Sequence, residues 1–410
     1  MNRLKNILIL AGGDSTRFWP LEKKSYFEFL GKPLLFHQLK NLAPFAENIT
    51  VIVNQADREI ANKAISEIKK DQTVHIQIVT QKAALTGQAG AILSAKDTIQ
   101  GEVLILNSED IFRYDILTRF TEALRQRLPQ FMFLARKVNS YFPGGYLKIE
   151  GKKIIEIVEK PNPKEVPSNI TKLVVDYYQN FSSLVETIEK AKTQNDDLYE
   201  QGINILLQQG VASEFMEYGD YWYVLKYPWH ALPMMKFFLN SLGGEMKVGK
   251  NVKIAETAKL VGPCFIGDNS VIGDFTLIRG SHIGKNCLIG GYSEITRSYL
   301  GDNVMLHRNY VGDSVLDNGV LMGADAVTAN FRFDEGNVKS AVGGIKIDTD
   351  LNKFGAIIGK NSKIGVNSTL LPGIKIGSHT YIAPGHTIAE DVEDKMFVRK
   401  GKVPNLHSKP

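Results

Sequence analysis

A glycine-rich turn close to the N-terminus has the residue types that bind phosphate. Residues 10–21 read LAGGDSTRFWPL and follow a short apolar run. Gly12 and Gly13 would let backbone N–H groups approach phosphate oxygens and cradle them. Arg17 could bind the same oxygens through its planar guanidinium group. We therefore expect a phosphate-binding loop at this turn.

The elements that would position this turn follow from the apolar pattern of the first half of the chain. Short runs rich in Val, Ile and Leu are typical of buried parallel strands, and helical patterns lie between them. This alternation predicts a doubly wound, Rossmann-like α/β sheet with ligands at the carboxyl ends of its strands. A hairpin is predicted over Lys148–Val158. The predicted strands are Asn6–Leu10, Ile49–Val53, His75–Val79 and Val103–Leu106, and the predicted helices are Leu34–Leu42, Asp57–Lys69, Gln88–Lys96 and Asp115–Arg127.

From Val248 the pattern changes to a period of six residues. Units such as IGDNSV, IGDFTL and IGKNCL have an aliphatic residue first and usually glycine second. The aliphatic side chain would stack inside a coil, and glycine would permit the tight turn at its corner. The repeat resembles that of left-handed parallel β-helices, which usually form trimers, although periodicity alone also fits a β-solenoid without catalysis. We predict an α/β domain over 1–228, a linker that starts as a helix over 229–247, and a β-helix over 248–410.

Composition limits the class of protein and the kinds of partner. The chain has 410 residues, 43% hydrophobic and 23% charged, which fits two globular domains. The net charge is +5, but Lys and Arg are spread among Asp and Glu, so we expect no nucleic-acid partner. Two cysteines, Cys264 and Cys287, argue against a disulfide framework or a thiolate metal site. Without a long apolar run or a signal peptide, we expect a cytoplasmic protein with no membrane partner.

The N-terminal motifs together resemble the signature of sugar-1-phosphate nucleotidyltransferases. The matching pieces are LAGG, the Thr-Arg pair of residues 16–17, Pro-Leu at 20–21, a basic residue, and Gly-Lys-Pro-Leu at 31–34. The resemblance implies that 1–228 is a nucleotidyltransferase domain in which Arg17 and Lys24 are catalytic. Lys24 would neutralise the α-phosphate of a nucleoside triphosphate bound at Gly12 and Gly13. A solvated turn lysine is the alternative interpretation of Lys24.

Further motifs of this family follow in the same order along the chain. The resemblance implies that Asp110, or its neighbour Glu109, holds Mg²⁺ against the nucleotide phosphates, as carboxylate oxygens can. Asp110 is the preferred ligand. The residues implied to bind nucleotide and sugar phosphate are Gln81 and Gly87 in a base-binding loop, Gly145 in a sugar-contacting turn, Glu159 facing sugar hydroxyls and Lys160 facing phosphate.

Two positions depart from the family pattern. Val224 stands where the family carries a second metal carboxylate in a W-x-D pattern. Leu173 lies near the place of a sugar-contacting asparagine. Since phosphoryl transfer relies on positioning and charge neutralisation, the loss of one carboxylate would lower activity unless another group such as Lys226 compensates.

The β-helix also contains a motif that could act in catalysis. Residues 307–313 read HRNYVGD and resemble the HxxYxGD segment of bifunctional enzymes that acetylate glucosamine-1-phosphate and then uridylylate it, particularly the archaeal ones. The resemblance implies that His307 is a general base, a task that suits the ordinary histidine pKa of about 6.5. A second family asparagine near residues 320–323 is absent, and a structural histidine is the alternative. The other implied residues are Arg279, Arg297, Tyr310, Asn330 and Lys339 for the amino-sugar phosphate, and Ala383 and Lys400 for acetyl-CoA.

Three functional hypotheses remain open at this point. The first is a bifunctional enzyme that acetylates an amino-sugar-1-phosphate and then makes a nucleotide sugar and pyrophosphate. The second is a nucleotidyltransferase with a structural or regulatory β-helix. The third is a non-catalytic regulatory relative, which Val224 favours. His307 with Asn330 distinguishes the first hypothesis from the second, and Arg17, Lys24 and Asp110 favour both of these over the third.

Overall fold

The computed structural model describes residues 3–68, 74–151 and 153–399. Their contacts divide the chain into two units. The first unit comprises the described residues up to Asp14 together with Leu34–Trp222, and the second comprises Ser15–Pro33 together with the described residues from Tyr223 onward. The predicted bounds 1–228, 229–247 and 248–410 differ from this division chiefly because the segment 15–33 packs with the β-helix.

The first unit is a mixed sheet with helices packed against it. Its strands are β1 (Leu4–Ala11), β2 (Ala46–Val53), β3 (His75–Thr80), β4 (Val103–Asn107), β5 (Phe131–Lys137), β6 (Gly145–Glu150), β7 (Lys153–Glu159), β8 (Ile170–Tyr178) and β9 (Ser213–Glu217), and its helices are α1 (Leu34–Leu42), α2 (Arg58–Ile68), α3 (Gly87–Ser94), α4 (Ile116–Arg127), α5 (Phe181–Lys190) and α6 (Leu198–Gln208). The strand order is β7-β6-β8-β4-β1-β2-β3, and β5 pairs with both β8 and β9. Strands β4, β1, β2 and β3 run parallel, so their carboxyl ends meet at one edge of the sheet.

The elements predicted for this half are confirmed, with ends that differ by a few residues. Helix α1 has the predicted bounds, and the predicted end of the second helix at Lys69 lies outside the described residues. Strands β6 and β7 form the predicted hairpin. Apolar residues of the sheet pack against α5 and α6, and buried examples are Leu8, Ile105, Phe133, Ile188 and Ile203. This packing fixes the strand ends from which the binding loops start.

The second unit is a left-handed parallel β-helix of hexapeptide repeats, preceded by helix α7 (Ala231–Asn240). Each coil contributes one strand to each of three parallel sheets, which we call the first, second and third faces. The strands of the first face are Met246–Val248, Cys264–Ile266, His282–Ile283, Tyr299–Leu300, Val315–Leu316, Ile357–Ile358 and Lys375–Ile376. Those of the second are Lys253–Ile254, Val271–Ile272, Leu288–Ile289, Met305–Leu306, Leu321–Met322, Lys363–Ile364, Tyr381–Ile382 and Phe397–Val398. Those of the third are Lys259–Val261, Leu277–Arg279, Glu294–Thr296, Tyr310–Gly312, Val327–Thr328, Thr369–Leu370 and Thr387–Ile388.

The core of the β-helix consists of the aliphatic residues that begin each repeat. Ile266, Ile283 and Leu300 are register partners in successive coils, and all three are fully buried. The predicted inward stacking is therefore confirmed. A hairpin of Lys339–Val342 with Ile345–Asp348 interrupts the coils. Among the described residues, no helix has the length and apolar character needed to cross a membrane.

Candidate active sites

Gln81 joins the glycine turn to the predicted base-binding loop. A side chain at Gly12, at the carboxyl end of β1, would overlap the Gln81 Oε1 atom. The Gln81 Nε2 group donates a hydrogen bond to the Leu85 carbonyl oxygen at 2.8 Å and a longer one to Gly87 O at 3.4 Å. Glycine at position 12 therefore permits a close approach that brings both predicted nucleotide-binding segments together. Gly13 is exposed and has open space around it.

The predicted metal carboxylates follow β4 and lie within a network of amide side chains. Asn107 Oδ1 accepts a hydrogen bond from Gln88 Nε2 at 2.9 Å, and Asn107 Nδ2 lies 3.5 Å from Asp110 Oδ2. Gln38 Nε2 donates to the Asn107 carbonyl oxygen at 2.5 Å. Asp110 is buried, whereas Glu109 is half-buried. No role was predicted for Gln38, or for Gln88 and Asn107 within their motifs, although a glutamine on the buried side of α1 is a recognisable signal.

The donor set at this place suits magnesium. Mg²⁺ is usually held by one or two carboxylates together with substrate phosphates and water, and it does not need a cage of protein ligands. Asp110 and Glu109 supply two carboxylates at the end of β4. Within the described residues, no cluster of three or more His, Cys, Asp or Glu side chains could hold a metal. A magnesium ion here would therefore depend on the nucleotide for its remaining ligands.

The structure brings the predicted sugar turn and Glu159 together. A Cβ atom at Gly145 would lie 3.4 Å from Glu159 Oε2. Lys160 N donates to the Gly144 carbonyl oxygen at 3.0 Å, and its Nζ lies 3.0 Å from Glu159 Oε1. Glu159 and Lys160 therefore lie beside the predicted sugar turn, and their roles there stay predictions.

A buried ionisable cluster that no motif predicted lies next to this turn. Lys172 Nζ lies 2.5 Å from Asp176 Oδ2, and the two side chains are 2% and 0% exposed. Tyr199 donates to the same Asp176 oxygen at 2.7 Å. Burial raises the pKa of Asp176, although Lys172 and Tyr199 oppose the shift. Burial also raises the pKa of Glu200 to about 7; Lys172 opposes this shift and Glu159 adds to it.

Arg17 and Lys24 belong to the second unit. Arg17 is exposed on a short 3-10 helix, Thr16–Phe18, whereas Lys24 is buried at the start of another. The backbone N–H of Lys24 donates to Ser15 Oγ at 3.3 Å. Because Lys24 is buried, the structure disagrees with the alternative of a solvated turn lysine.

Val224, which stands where the family has a metal-binding carboxylate, lies beside His230. His230 Nδ1 is 2.8 Å from the Val224 carbonyl oxygen. Burial lowers the pKa of His230 to about 4; the bond to Val224 opposes this shift, and Lys226 and Lys24 lower the pKa further. Lys226 and Lys24 are therefore close enough to act on the charge of His230, whose ring contacts the Val224 carbonyl oxygen.

On the third face of the β-helix, four of the predicted residues form one polar cluster. The Tyr310 ring crosses Gly312, where a Cβ atom would overlap both the Tyr310 hydroxyl and Asn330 Nδ2. Asn330 donates to Asp313, and Asp313 accepts two hydrogen bonds from Arg297 at 2.6 and 2.7 Å. One coil earlier, Arg279 donates to Glu294 at 2.6 Å and to Thr296 at 2.8 Å. Asp313 and Glu294 were not predicted, although Asp313 is part of the HRNYVGD motif.

The remaining predicted residues of the β-helix lie in other places. His307 is exposed at the corner between the second and third faces, and its backbone N–H donates to Asn309 Oδ1 at 2.8 Å. No hydrogen bond to its imidazole ring is present within residues 3–68, 74–151 and 153–399. Lys339 is exposed in the inserted hairpin. Ala383 donates its N–H to Val398 O at 2.9 Å, and Lys400 lies outside the described residues.

Comparison with known families agrees with this architecture. Residues 6–223 match the family described as nucleotidyl transferase. Residues 355–389 match the bacterial transferase hexapeptide with six repeats, and residues 282–309 match the hexapeptide repeat of succinyl-transferase. The fold and both sites thus define a transferase class that joins a nucleotidyltransferase domain to a hexapeptide β-helix.

Individual relatives match almost the whole chain. A bifunctional sugar-1-phosphate nucleotidylyltransferase/acetyltransferase of Sulfurisphaera tokodaii is 31% identical, over 94% of this chain and 97% of its own. The bifunctional protein GlmU of Methanococcus vannielii is 27% identical, over 96% and 97%. The solved apo UDP-glucose pyrophosphorylase has a TM-score of 0.51 at 16% identity, over 58% of this chain and 99% of its own, which is a likeness of fold alone. The chain therefore belongs to the nucleotidyl transferase family, in the group with a C-terminal β-helix.

Proposed function

We propose that the protein catalyses two reactions: acetyl transfer from acetyl-CoA to an amino-sugar-1-phosphate, and nucleotidyl transfer from a nucleoside triphosphate to the resulting sugar-1-phosphate. A relative whose name states both activities matches 94% of the chain, and a second relative, the bifunctional protein GlmU of Methanococcus vannielii, matches 96%. The structural observation that carries the first-unit assignment is the Gln81 bridge between Gly12 and the loop at Leu85 and Gly87. Through Gln81, the segment expected to bind the triphosphate and the segment expected to bind the base lie next to each other.

In nucleotidyl transfer, a phosphate oxygen of the sugar-1-phosphate attacks the α-phosphorus and pyrophosphate leaves. Arg17 stabilises the charge of the departing pyrophosphate, and Lys24 neutralises the α-phosphate, since positioned cations lower the barrier to phosphoryl transfer. Glu159 binds sugar hydroxyls and Lys160 binds the sugar phosphate. A bound Mg²⁺ at Asp110 or Glu109 would supply further positive charge. Lys226 supplies part of the charge that a second metal would bring.

In acetyl transfer, the amine of the amino-sugar-1-phosphate attacks the thioester carbonyl of acetyl-CoA. His307 takes the proton from the amine, the C–S bond breaks, and coenzyme A leaves as its thiol. Arg279 and Arg297 bind the sugar phosphate, with Tyr310 and Asn330 ordering the same surface. The bidentate pair of Arg297 with Asp313 supports this role because it fixes the guanidinium plane. Lys339 would add a phosphate contact, and Ala383 and Lys400 would contact acetyl-CoA.

We further propose a homotrimer that buries the second face of the β-helix. Its outward residues in successive coils are Val271, Leu288, Met305 and Leu321, all apolar, and Leu288 and Met305 are 42% and 45% exposed. An apolar sheet face of this length is stabilised by burial against another copy. Light scattering should give three times the chain mass of 45.7 kDa. A monomer at micromolar concentration would contradict the proposal.

The cytoplasmic location stays a prediction.

A panel of substrates tests the function. Purified protein with Mg²⁺ would be incubated with each nucleoside triphosphate and a set of sugar-1-phosphates, and pyrophosphate measured. Acetyl-CoA consumption would be measured with glucosamine- and galactosamine-1-phosphate. Pyrophosphate release without acetyl transfer would favour a structural or regulatory β-helix. The absence of both reactions would favour the non-catalytic relative that Val224 suggests.

A further inference from the structure

The first face of the β-helix is covered by the segment 15–33. Outward residues of this face form a column in which Phe265 stacks on His282 and His282 on Tyr299, with ring centroids 4.7 and 4.5 Å apart. Phe27 extends this column, since its ring lies 4.5 Å from that of Tyr299. The outward side chains of the column are buried despite their position on the face. The segment is therefore packed on the β-helix through a continuous aromatic contact.

An ion pair lies beside this aromatic contact. Glu28, the residue after Phe27, has its Oε2 atom 3.5 Å from Lys285 Nζ. Lys285 lies at the corner between the first and second faces, where its backbone N–H also donates to Asp302 Oδ1, one coil further on, at 2.7 Å. A partly exposed pair of this kind contributes little stability, but it fixes which part of the segment faces which coil.

The other end of the segment is held by the last coils. Trp19 Nε1 donates to Asp394 Oδ1 at 3.0 Å, and Lys375 Nζ lies 4.9 Å from the centroid of the Trp19 ring. Ser378 Oγ donates to the Pro20 carbonyl oxygen at 3.4 Å. Lys375 is itself buried and lies 3.1 Å from Asp391, so the cation under the indole ring is fixed in place. Trp19 is thus held by the hydrogen bond that its Nε1–H donates to Asp394 and by the Lys375 cation over the face of its ring.

The two predicted catalytic cations lie within this clamped segment. Arg17 is two residues before Trp19, and Lys24 is three residues before Phe27. The bond from Lys24 N–H to Ser15 Oγ ties the start of the segment to its middle. Displacing a charged group by about 1 Å can lower a rate by about 10²-fold, because transition-state contacts depend on geometry. The contacts that hold Trp19 therefore bear on how accurately Arg17 is presented.

We propose that Asp394 and Lys375, in the last coils of the β-helix, are positioning residues for nucleotidyl transfer, acting through Trp19 on Arg17. This inference rests on the proposed nucleotidyl transfer. It assigns to the β-helix a part in the reaction of the other half of the chain, in addition to its own acetyl transfer. The coupling is structural and needs no ligand in the β-helix.

The test uses two single variants of the full-length protein and the double variant that combines them. Trp19→Phe keeps the ring and removes the N–H donor, and Asp394→Ala removes its acceptor. Each should lower kcat for nucleotidyl transfer about tenfold with KM within about twofold, and the double variant should be no slower than either single one, as expected for partners in one interaction. Acetyl transfer should stay at the wild-type rate in all three variants.

Asp268→Ala is the matched control. Asp394 Oδ1 accepts a hydrogen bond from Ser378 N at 2.7 Å, and Asp268 Oδ1 accepts the equivalent corner bond from Lys250 N at 2.8 Å. Asp268→Ala therefore removes an equivalent hydrogen bond at a corner of the β-helix but leaves the contacts of Trp19 in place, so nucleotidyl transfer should be unchanged.

Two results would overturn the inference. If Arg17→Ala loses activity while Trp19→Phe and Asp394→Ala remain within twofold of wild type, the nucleotidyl transfer stands and the positioning role is wrong. If the wild type transfers no nucleotide at all, the proposed function fails and amide hydrogen exchange decides the inference separately. Residues 15–27 should exchange faster in Asp394→Ala than in Asp268→Ala, and equal exchange contradicts the clamp.

Discussion

The two candidate sites are constructed in different ways. In the first unit, Gly12, Gln81 and Asp110 come from distant parts of the chain and follow neighbouring parallel strands that end at one edge of the sheet. The Gln81 side chain lies close to Gly12 and bonds to the loop at Leu85, and Asn107 links Gln88 to Asp110. On the β-helix, Arg279 and Arg297 lie in successive coils, so the spacing of the repeat brings them together. A site on an α/β sheet thus depends on its loops, whereas a site on a β-helix depends on the repeat.

Their electrostatics differ in the same sense. The β-helix cluster consists of guanidinium groups already paired with carboxylates, as Arg297 is with Asp313 and Arg279 with Glu294. A sugar phosphate must share these arginines with their carboxylates. The ionisable groups of the first unit include a cluster shielded from solvent at Lys172, Asp176 and Glu200. The two regions should therefore respond differently to substitution and to pH.

The largest expected effect separates the two sites by activity. His307→Ala should lower acetyl transfer by about 10²- to 10⁴-fold, because a protonated amine is a poor nucleophile and needs a general base. Nucleotidyl transfer should be nearly unchanged, since its residues lie elsewhere. Acetyl-CoA consumption and pyrophosphate release would both be measured. His379→Asn, at another exposed corner of the β-helix, is the control and should keep both rates.

Loss of both activities together in His307→Ala would mean that this histidine supports folding or assembly. Acetyl transfer at the wild-type rate would show that it is structural. Either result would leave His307 without a catalytic role in acetyl transfer on the β-helix.

The next effect concerns the phosphate loop. Arg17→Ala should lower nucleotidyl transfer by at least about 10²-fold, which corresponds to about 2.7 kcal/mol of lost stabilisation of the departing pyrophosphate. Acetyl transfer should be unchanged. Arg127→Ala, which removes an exposed arginine paired with Glu214, is the control. If Arg17→Ala keeps its rate and is folded, Arg17 has no place in the nucleotide site.

The smallest effect concerns stability and tests the shielded cluster. With its pKa raised to about 7 in the folded state, Glu200 binds its proton more tightly there than in the unfolded chain. Stability is therefore fully present below the ordinary carboxyl pKa and falls as pH rises to about 7. Glu200→Gln should remove this loss, so its advantage over wild type in the free energy of unfolding should grow between about pH 5 and pH 7 and then level off at about 1–3 kcal/mol, and Tm measured against pH should follow the same curve.

Glu189→Gln is the control for this experiment, because Glu189 is an exposed carboxylate on α5 that pairs with Lys96. Its Tm difference from wild type should be small at every pH. A difference between Glu200→Gln and wild type that does not change with pH would show that Glu200 titrates normally.

Much of the fold follows from local patterns. The apolar runs and helical periods predicted α1 and the four parallel strands because each pattern reflects burial on one side or both. The six-residue period predicted the coils because an inward aliphatic residue recurs on each face, and Ile266, Ile283 and Leu300 are the inward residues of the first face in successive coils.

The rest depends on contacts that no local pattern records. The segment 15–33 packs on the β-helix through Phe27 and Trp19. Aromatic residues in a loop indicate that the loop is buried, but they do not show which part of the protein covers it. Lys172 and Asp176 meet where β8 is irregular: they are four residues apart, but their register partners, Ala135 and Phe133, are only two apart, and no local pattern predicts that irregularity. Asp313 had a signal in its motif, since an aspartate after glycine could pair with the arginine one coil earlier.

The central claim is that one chain carries two independent active sites, and a complementation assay tests it most directly. Arg17→Ala and His307→Ala would each be given amino-sugar-1-phosphate, acetyl-CoA, Mg²⁺ and the nucleoside triphosphate that the wild type uses. Each variant alone should form almost no N-acetylated nucleotide sugar, because each lacks one step. A mixture of the two should form it, since the first variant acetylates and the second transfers the nucleotide. A mixture as inactive as its components would contradict the two-site account.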